Sequence, residues 1–268
     1  MTPESPTSEN SSSDLTFLAR HHMSTPNKYR ESPPNIKSPE EDILASREKT
    51  LEVRIGRGVT NSSFIELKDD GKAVFKTVYF ENERAAYLID RFLGFNLTPP
   101  TAIRVLDGQI GSAQEFIPNA KAFFEFDVSE INELEKSHRL EFMKMWIFDI
   151  IIGNEDRHGG NLICQGESIF AIDHGHSITI HGSEFVNIIR VSYAGYTSFF
   201  DEDIPLEIVQ PIKNFLDTPK EQNILLELLT ELYDHELASA CIKRIRIIGE
   251  LLIRDGRITN ENSVIEIK

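Results

Sequence analysis

The run FDIIIGNEDRHGGNLICQGESIFAIDHG, residues 148–175, constrains this chain more than any other stretch. It opens inside HRLEFMKMWIFDIIIG, whose strong apolar side predicts a helix that needs a core around it. A polar loop marked by Gly159 and Gly160 follows, and then two short strand-like pieces, NLIC and SIFAID. A core helix, a polar loop and a hairpin in immediate succession require a sizeable domain to enclose them. With 268 residues the chain is long enough for one large domain or a two-lobed one.

Three of the oxygen-bearing side chains on the loop and hairpin stand out by their placement. Asn161 lies five residues beyond Asp156, and Asp173 lies seventeen beyond it, after an apolar strand and just before Gly175. Taken singly, an Asp before Gly or an Asn in a Gly-rich loop is a turn residue. Together, with a helix before them and a strand between, they can fold around one point. Magnesium favours hard oxygen ligands of this kind, with phosphate and water completing its shell. The set therefore supports a magnesium–phosphate site. His158, His174, His176 and His181 raise the alternative of a transition-metal centre, but no HExxH or paired-cysteine pattern accompanies them.

Elsewhere the chain divides by composition. Residues 1–48 are rich in Ser, Pro, Thr, Glu and Asn and are expected to form a disordered tail, since they offer little apolar area to offset ordering entropy. The island LTFLARHHM within them could dock elsewhere, and the Ser5-Pro6, Thr25-Pro26, Ser32-Pro33 and Ser38-Pro39 pairs are candidate phosphorylation sites. From residue 49 to 118 the reading is β-rich. LEVRIG, SSFIEL and KAVFKTVYF form a meander with a turn at Asp69-Asp70-Gly71, NERAAYLIDRFLGF is a helix, and TAIRVLDG with QIGSAQEFI are two further strands. Residues 119–268 read as mostly helical, with one small hairpin. The fold class expected is α+β in two lobes, with a ligand cleft between them.

The formal net charge is −15, from 28 basic and 43 acidic residues. A nucleic-acid partner calls for clustered cations. The densest cluster, Lys243-Arg244-Ile245-Arg246, reads as a solvated helix face. Nucleic acid is therefore excluded, and membrane contact is not favoured. Cys164 and Cys241 are too few for a disulfide framework. The N-terminal residues lack a secretory pattern, so a cytoplasmic, reducing setting is expected.

DRHGGN followed by AIDHGH resembles the DRHxxN and IDxG motifs of the phosphatidylinositol 3- and 4-kinase superfamily. ENERAAYLIDRFLGFNLTPP together with FDIIIGNEDRH looks still more like the secretory-pathway (Golgi casein) kinase family and its bacterial relatives. The similarity spans residues 55 to 180. It implies a protein-kinase-like fold, with a β-rich N-lobe holding one main helix and a mostly helical C-lobe. It also implies an atypical kinase that uses ATP with magnesium or manganese.

Carried over by position, the resemblance gives Lys76 a contact with the nucleotide phosphates and makes Glu83 the carboxylate that orients it or reaches the metal. Gly58, Asn61 and Ser62 become part of a nucleotide-covering loop, and Glu115 and Ile117 part of an adenine-contacting hinge that reads through its backbone. Asp156 becomes the base or hydroxyl-orienting group, with His158 beside the transferred phosphate, and Asn161 and Asp173 become metal ligands. Arg157 is expected to pair with a carboxylate and shape the loop. The stretch HSITIHGSEFVNIIR offers only Arg190 and histidines as cations, where a phosphoinositide kinase presents a basic loop. Protein Ser/Thr hydroxyls are therefore the expected acceptor. A phosphoinositide, a small metabolite or a non-catalytic nucleotide-binding scaffold are the alternatives.

Overall fold

A computed structural model describes residues 32–34, 37–55, 62–178, 185–187, 199–259 and 264–266. Five strands build one antiparallel sheet: β1 (Lys49–Arg54), β2 (Ser62–Leu67), β3 (Lys72–Lys76), β4 (Thr101–Leu106) and β5 (Gln109–Glu115). Their spatial order is β1-β2-β3-β5-β4. Two tight connections fix the registers. Asp69 and Asp70 both take positive φ in the longer turn between β2 and β3, and Asp107-Gly108 does the same between β4 and β5, where Leu106 pairs with Gln109 across a two-residue loop. Lys76 thereby comes opposite Ser62 on one side and Ser112 on the other.

Two helices attach to this sheet. Helix α1 (Pro39–Ser46) precedes β1, and α2 (Phe80–Phe92) connects β3 to β4. The sequence reading runs the third strand through Phe80. In fact β3 stops at Lys76, because Tyr79 sits in the left-handed region at φ 55° and the chain turns directly into α2. The expectation of a disordered tail to residue 48 also fails over Pro39–Ser46. Those residues are helical, and Leu44 is only 2% exposed.

The remainder is mainly helical. A two-residue strand β6 (Lys121–Ala122) and a 3-10 turn (Phe123–Glu125) lead into α3 (Val128–Ser137) and α4 (Arg139–Ile152). Asp127 caps α3 by accepting from Ser129 and Glu130 amides. Helix α4 is buried from Phe142 to Ile152 except at Lys144, and it ends on Gly153, whose φ of 64° is the left-handed cap. Strands β7 (Leu162–Gln165) and β8 (Ser168–Ala171) form the expected hairpin, to which β6 adds. Phe185–Asn187 (β9) pairs with Val264–Glu266 (β10). Helices α5 (Leu206–Leu216), α6 (Pro219–Leu232) and α7 (His235–Asp255) complete the chain. The α+β reading, sheet first and helices after, is the architecture found.

Burial separates two hydrophobic clusters. The smaller joins Leu44 of α1 to Ile65, Leu67, Ala73, Phe75, Ala102, Leu106 and Ala113 of the sheet. The larger surrounds α4 and α5–α7. It also takes in Ala85, Ala86, Leu88, Ile89 and Phe92 from α2. Although α2 lies between sheet strands in sequence, its apolar face belongs to the helical half.

Candidate functional site

The site forms where the end of β3, the start of α2 and the loops flanking the β7–β8 hairpin meet. Lys76 and Val74 point to the sheet face opposite Ala73 and Phe75, by the alternation of a strand. The Lys76 ammonium donates to Glu83 Oε1 at 2.6 Å and to Asp173 Oδ1 at 3.0 Å. Glu83 is 1% exposed. Burial works against its charge, but the Lys76 ammonium and the nearby His174 outweigh burial and hold its carboxyl well below the usual range. Burial likewise works against the Lys76 charge, and the two carboxylates overcome it and raise its pKa.

His174 lies behind this pair. Its Nδ1 approaches Glu83 Oε2 at 3.4 Å, but neither ring nitrogen makes a well-formed hydrogen bond, and the ring is fully buried. Burial depresses its pKa, against the pull of the Glu83 carboxylate beside it. It packs edge-on against Phe148 of α4, with ring centroids 5.9 Å apart. His176 instead meets the Tyr79 ring, and His158 Nδ1 accepts from the Gly160 amide at 3.0 Å. The described histidines thus face different partners. Among the described residues no group of three His, Cys, Asp or Glu side chains converges to hold an ion.

The loop that carries Asp156 and Asn161 is organised by the side chain of Arg157. Arg157 donates through Nε and Nη2 to both oxygens of Asp149, at 3.0 and 2.9 Å. Its Nη1 reaches the carbonyls of Asn161 and Ile172, at 2.7 and 2.8 Å. The Ile172 amide donates to the Asn161 carbonyl, and the Asn161 side-chain nitrogen donates to the Asp156 carbonyl, at 3.0 and 2.9 Å. This staple holds the backbone of Asn161 against that of Ile172, the residue before Asp173. With its nitrogen engaged, Asn161 has its amide oxygen as the atom for a cation. Asp173 takes φ 55°, and its side chain is 39% exposed. Asp156 is half exposed, and His158 Nε2 lies 4.0 Å from its Oδ2, beyond hydrogen-bonding reach.

A second brace was not visible in the sequence. Asn82, next to Glu83, donates to the carbonyls of Gly175 and Ser177 at 2.7 and 2.8 Å. It accepts from the Tyr233 hydroxyl at 2.8 Å. Among the remaining expectations, Gly58 and Asn61 lie outside the described residues, while Ser62 is buried directly opposite Lys76. At the hinge, the Glu115 and Phe116 amides are engaged by the carbonyls of Pro100 and Lys72. Glu115 is therefore a ladder residue, and Ile117 is the first backbone beyond the ladder.

A family model for phosphatidylinositol 3- and 4-kinase matches residues 83–239. The chain belongs to that family. It is an ATP-dependent kinase, as the motifs imply. Among solved structures, the Golgi casein kinase with Mn/ADP bound aligns with this kinase over 84% of the chain and 78% of its own, at 17% identity and a TM-score of 0.55. The Helicobacter pylori proinflammatory kinase CtkA aligns over 79% of this chain and 98% of its own, at 14% identity and a TM-score of 0.53. These likenesses establish a kinase-like fold. Protein Rv2133c of Mycobacterium tuberculosis is 24% identical, covering 60% of this kinase and 73% of that protein.

Proposed function

We propose that this kinase transfers the γ-phosphoryl group of ATP to Ser or Thr hydroxyls on protein, with residues 49–118 as the nucleotide-covering lobe and 119–268 as the acceptor lobe. The observation that carries the reading is Lys76 bridging Glu83 and Asp173. A buried, charged lysine between two carboxylates is preset to receive phosphate oxygens while one carboxylate turns to a cation. The donor set fits such a cation, since the Asn161 amide oxygen and the Asp173 carboxylate are hard oxygen ligands suited to magnesium or manganese. Bound there, the metal would neutralise charge on the phosphates. The solved Golgi casein kinase, with its Mn/ADP, supports that choice by analogy.

The residues of the chain supply the rest. Lys76 would hold the phosphates, and Glu83 keeps that ammonium aimed. Asp156 is half exposed, so an incoming hydroxyl could reach it. It would orient that hydroxyl and take its proton as the bond from γ-phosphorus to the bridging β-phosphate oxygen breaks and ADP leaves. His158 is directed by the Gly160 amide to carry its proton on Nε2 and would lie beside the transferred phosphate. The backbone at Ile117 would read the adenine. Protein is favoured as acceptor because the segment after Asp173 is poor in Lys and Arg. A cytoplasmic setting accords with the unpaired, buried Cys164 and Cys241 thiols, whose pKa values burial pushes up to about 11. No helix among the described residues is long and apolar enough to cross a membrane.

The test uses γ-labelled ATP with magnesium or manganese, offered in turn to casein-like proteins, to the kinase itself and to phosphatidylinositol vesicles. Label on protein that vanishes in Asp156→Asn and Asp173→Asn is the expected result. Label on lipid alone would move the acceptor to the family's namesake substrate. Nucleotide binding without transfer to any acceptor would make the protein a scaffold.

A further inference from the structure

Lys76 and Glu83 stand on different hydrophobic units: Lys76 on the sheet, Glu83 on a helix whose apolar face is buried in the helical half. Helix α1 is attached to both. Leu44 fills the sheet cluster, and Arg104 of β4 donates to the carbonyls of Leu44 and Arg47, each at 2.8 Å, so the end of α1 is pinned to the sheet. Three residues before Leu44, Glu41 reaches the other unit.

Glu41 is 2% exposed, and its two oxygens take four donors. Oε1 accepts from the Tyr87 hydroxyl at 2.7 Å and the Ser38 amide at 3.1 Å. Oε2 accepts from Arg84 at 3.0 Å and the Ser32 amide at 3.4 Å. Arg84 and Tyr87 lie one turn apart on α2, and the guanidinium also rests over the Tyr87 ring, 5.4 Å from its centre. Arg84 donates in addition to the Thr101 carbonyl at the start of β4, and Thr101 accepts through its hydroxyl from Gln114 of β5 at 3.1 Å. One carboxylate thus fixes the guanidinium that ties α2 to the sheet.

Arg84 is the residue after Glu83. Successive helical positions are rotated by about 100°, so a pull on Arg84 from outside sets the rotation that turns Glu83 inward. We infer that Glu41 is a positioning residue of the kinase: through Arg84 and Tyr87, the segment before β1 clamps α2 in the setting where Glu83 meets Lys76. The N-terminal segment is then part of the catalytic machinery. This rests on the reading of Lys76 and Glu83 as the nucleotide-phosphate contact. A shift near 1 Å at a reacting group can lower turnover by about 100-fold, so a clamp acting at second hand needs only to restrain small displacements.

The test is a double-mutant cycle on the full chain between Glu41→Gln and Glu83→Gln. It is read as kcat/KM for ATP and, in parallel, as Kd for Mn·ADP, at a temperature where circular dichroism shows all four proteins folded. Glu41→Gln is expected to weaken both by about tenfold, close to 1.4 kcal/mol. In the Glu83→Gln background the same change should have no further effect, within about twofold, because the clamp has nothing left to aim. A Glu41→Gln protein that melts earlier but keeps kcat/KM and Kd has lost only stability, and the inference is overturned. Losses that multiply in the double variant overturn it too. If Glu41→Gln does not fold, Tyr87→Phe removes one of the four donors, and its smaller loss, about threefold, should likewise vanish beside Glu83→Gln. Wild-type protein that binds no Mn·ADP would defeat the site reading together with the clamp. Binding that is indifferent to Glu41 and Tyr87 defeats the clamp alone.

Discussion

Asp149 and Arg157 face each other through two parallel hydrogen bonds of 2.9 and 3.0 Å, with both side chains shut off from solvent. Asp149 belongs to α4 and Arg157 to the loop after it, so this pair sets how the loop leaves the helix. The guanidinium then continues to the Asn161 and Ile172 carbonyls. Arg157→Met would leave a buried carboxylate without its cation, a change that costs about 3–5 kcal/mol. Urea unfolding should show the lowered midpoint, and turnover should be lost as Asn161 and Asp173 come apart. Arg157→Lys should not rescue either property, because an ammonium cannot reproduce the planar fork. Wild-type stability in Arg157→Lys would refute this account of the loop.

Asp173 has a different balance of roles. Its side chain is partly exposed, and Lys76 keeps Glu83 as a partner without it. Asp173→Asn should therefore melt within a few degrees of wild type when no ligand is present. The difference should emerge with manganese and ATP. At about 100 times Kd, a nucleotide stabilises the wild type by about 2.7 kcal/mol, and this gain should be absent in the variant. An equal thermal shift in both proteins would remove Asp173 from the metal site.

Gly111 tests the sheet behind Lys76. A Cβ added there would collide with the Lys76 carbonyl and come within 2.7 Å of the Phe75 ring. Backbone cannot yield as a flexible side-chain tip can, so Gly111→Ala should push β3 away from β5. We expect a destabilisation of about 1–3 kcal/mol, as for other overpacked cores, together with a raised KM for ATP. Calorimetry and initial rates measure the two effects separately. A stable variant with a wild-type KM would mean that the two strands can separate without moving the lysine.

Glu41 gives a pH signature. Burial favours its neutral form, but Arg84 and the hydrogen bonds from Tyr87 and Ser32 outweigh burial and lower its pKa from the ordinary value. A depressed carboxylate contributes stability above its unfolded-state pKa and loses it as pH falls through the folded value. The melting-temperature gap between wild type and Glu41→Gln should accordingly be full at pH 7 and shrink as pH drops below about 4.5. A gap that stays constant down to pH 3 would show that the charge of Glu41 is not what holds α1.

Much of this molecule could be read from local pattern. The Asp107-Gly108 hairpin, the core helix α4 and the three closing helices each announce themselves through turn chemistry or apolar spacing. Asp156, Asn161 and Asp173 were legible as a set because they lie close in sequence on a loop and hairpin. Lys76 and Glu83 needed the family resemblance, since a lysine on a strand and a glutamate on a helix look like surface residues. Helix α1 was missed for a physical reason. Its stretch is rich in Ser, Pro and Glu, and what orders it comes from far along the chain: the sheet cluster that Leu44 enters and the contact between Glu41 and Arg84, 43 residues away. The bond from Tyr233 to Asn82 spans 151 residues and leaves no periodic trace.

The apolar face of α2 lies with α4 and α5–α7 rather than with the strands on either side of it. Its amides should therefore be protected from hydrogen exchange to the same extent as those of α4. The sheet, resting on a core of eight buried residues, should exchange in a separate and less protected set. Part of the chain that reads as the first lobe would then unfold last, and the sheet could open over a helix that stays in place.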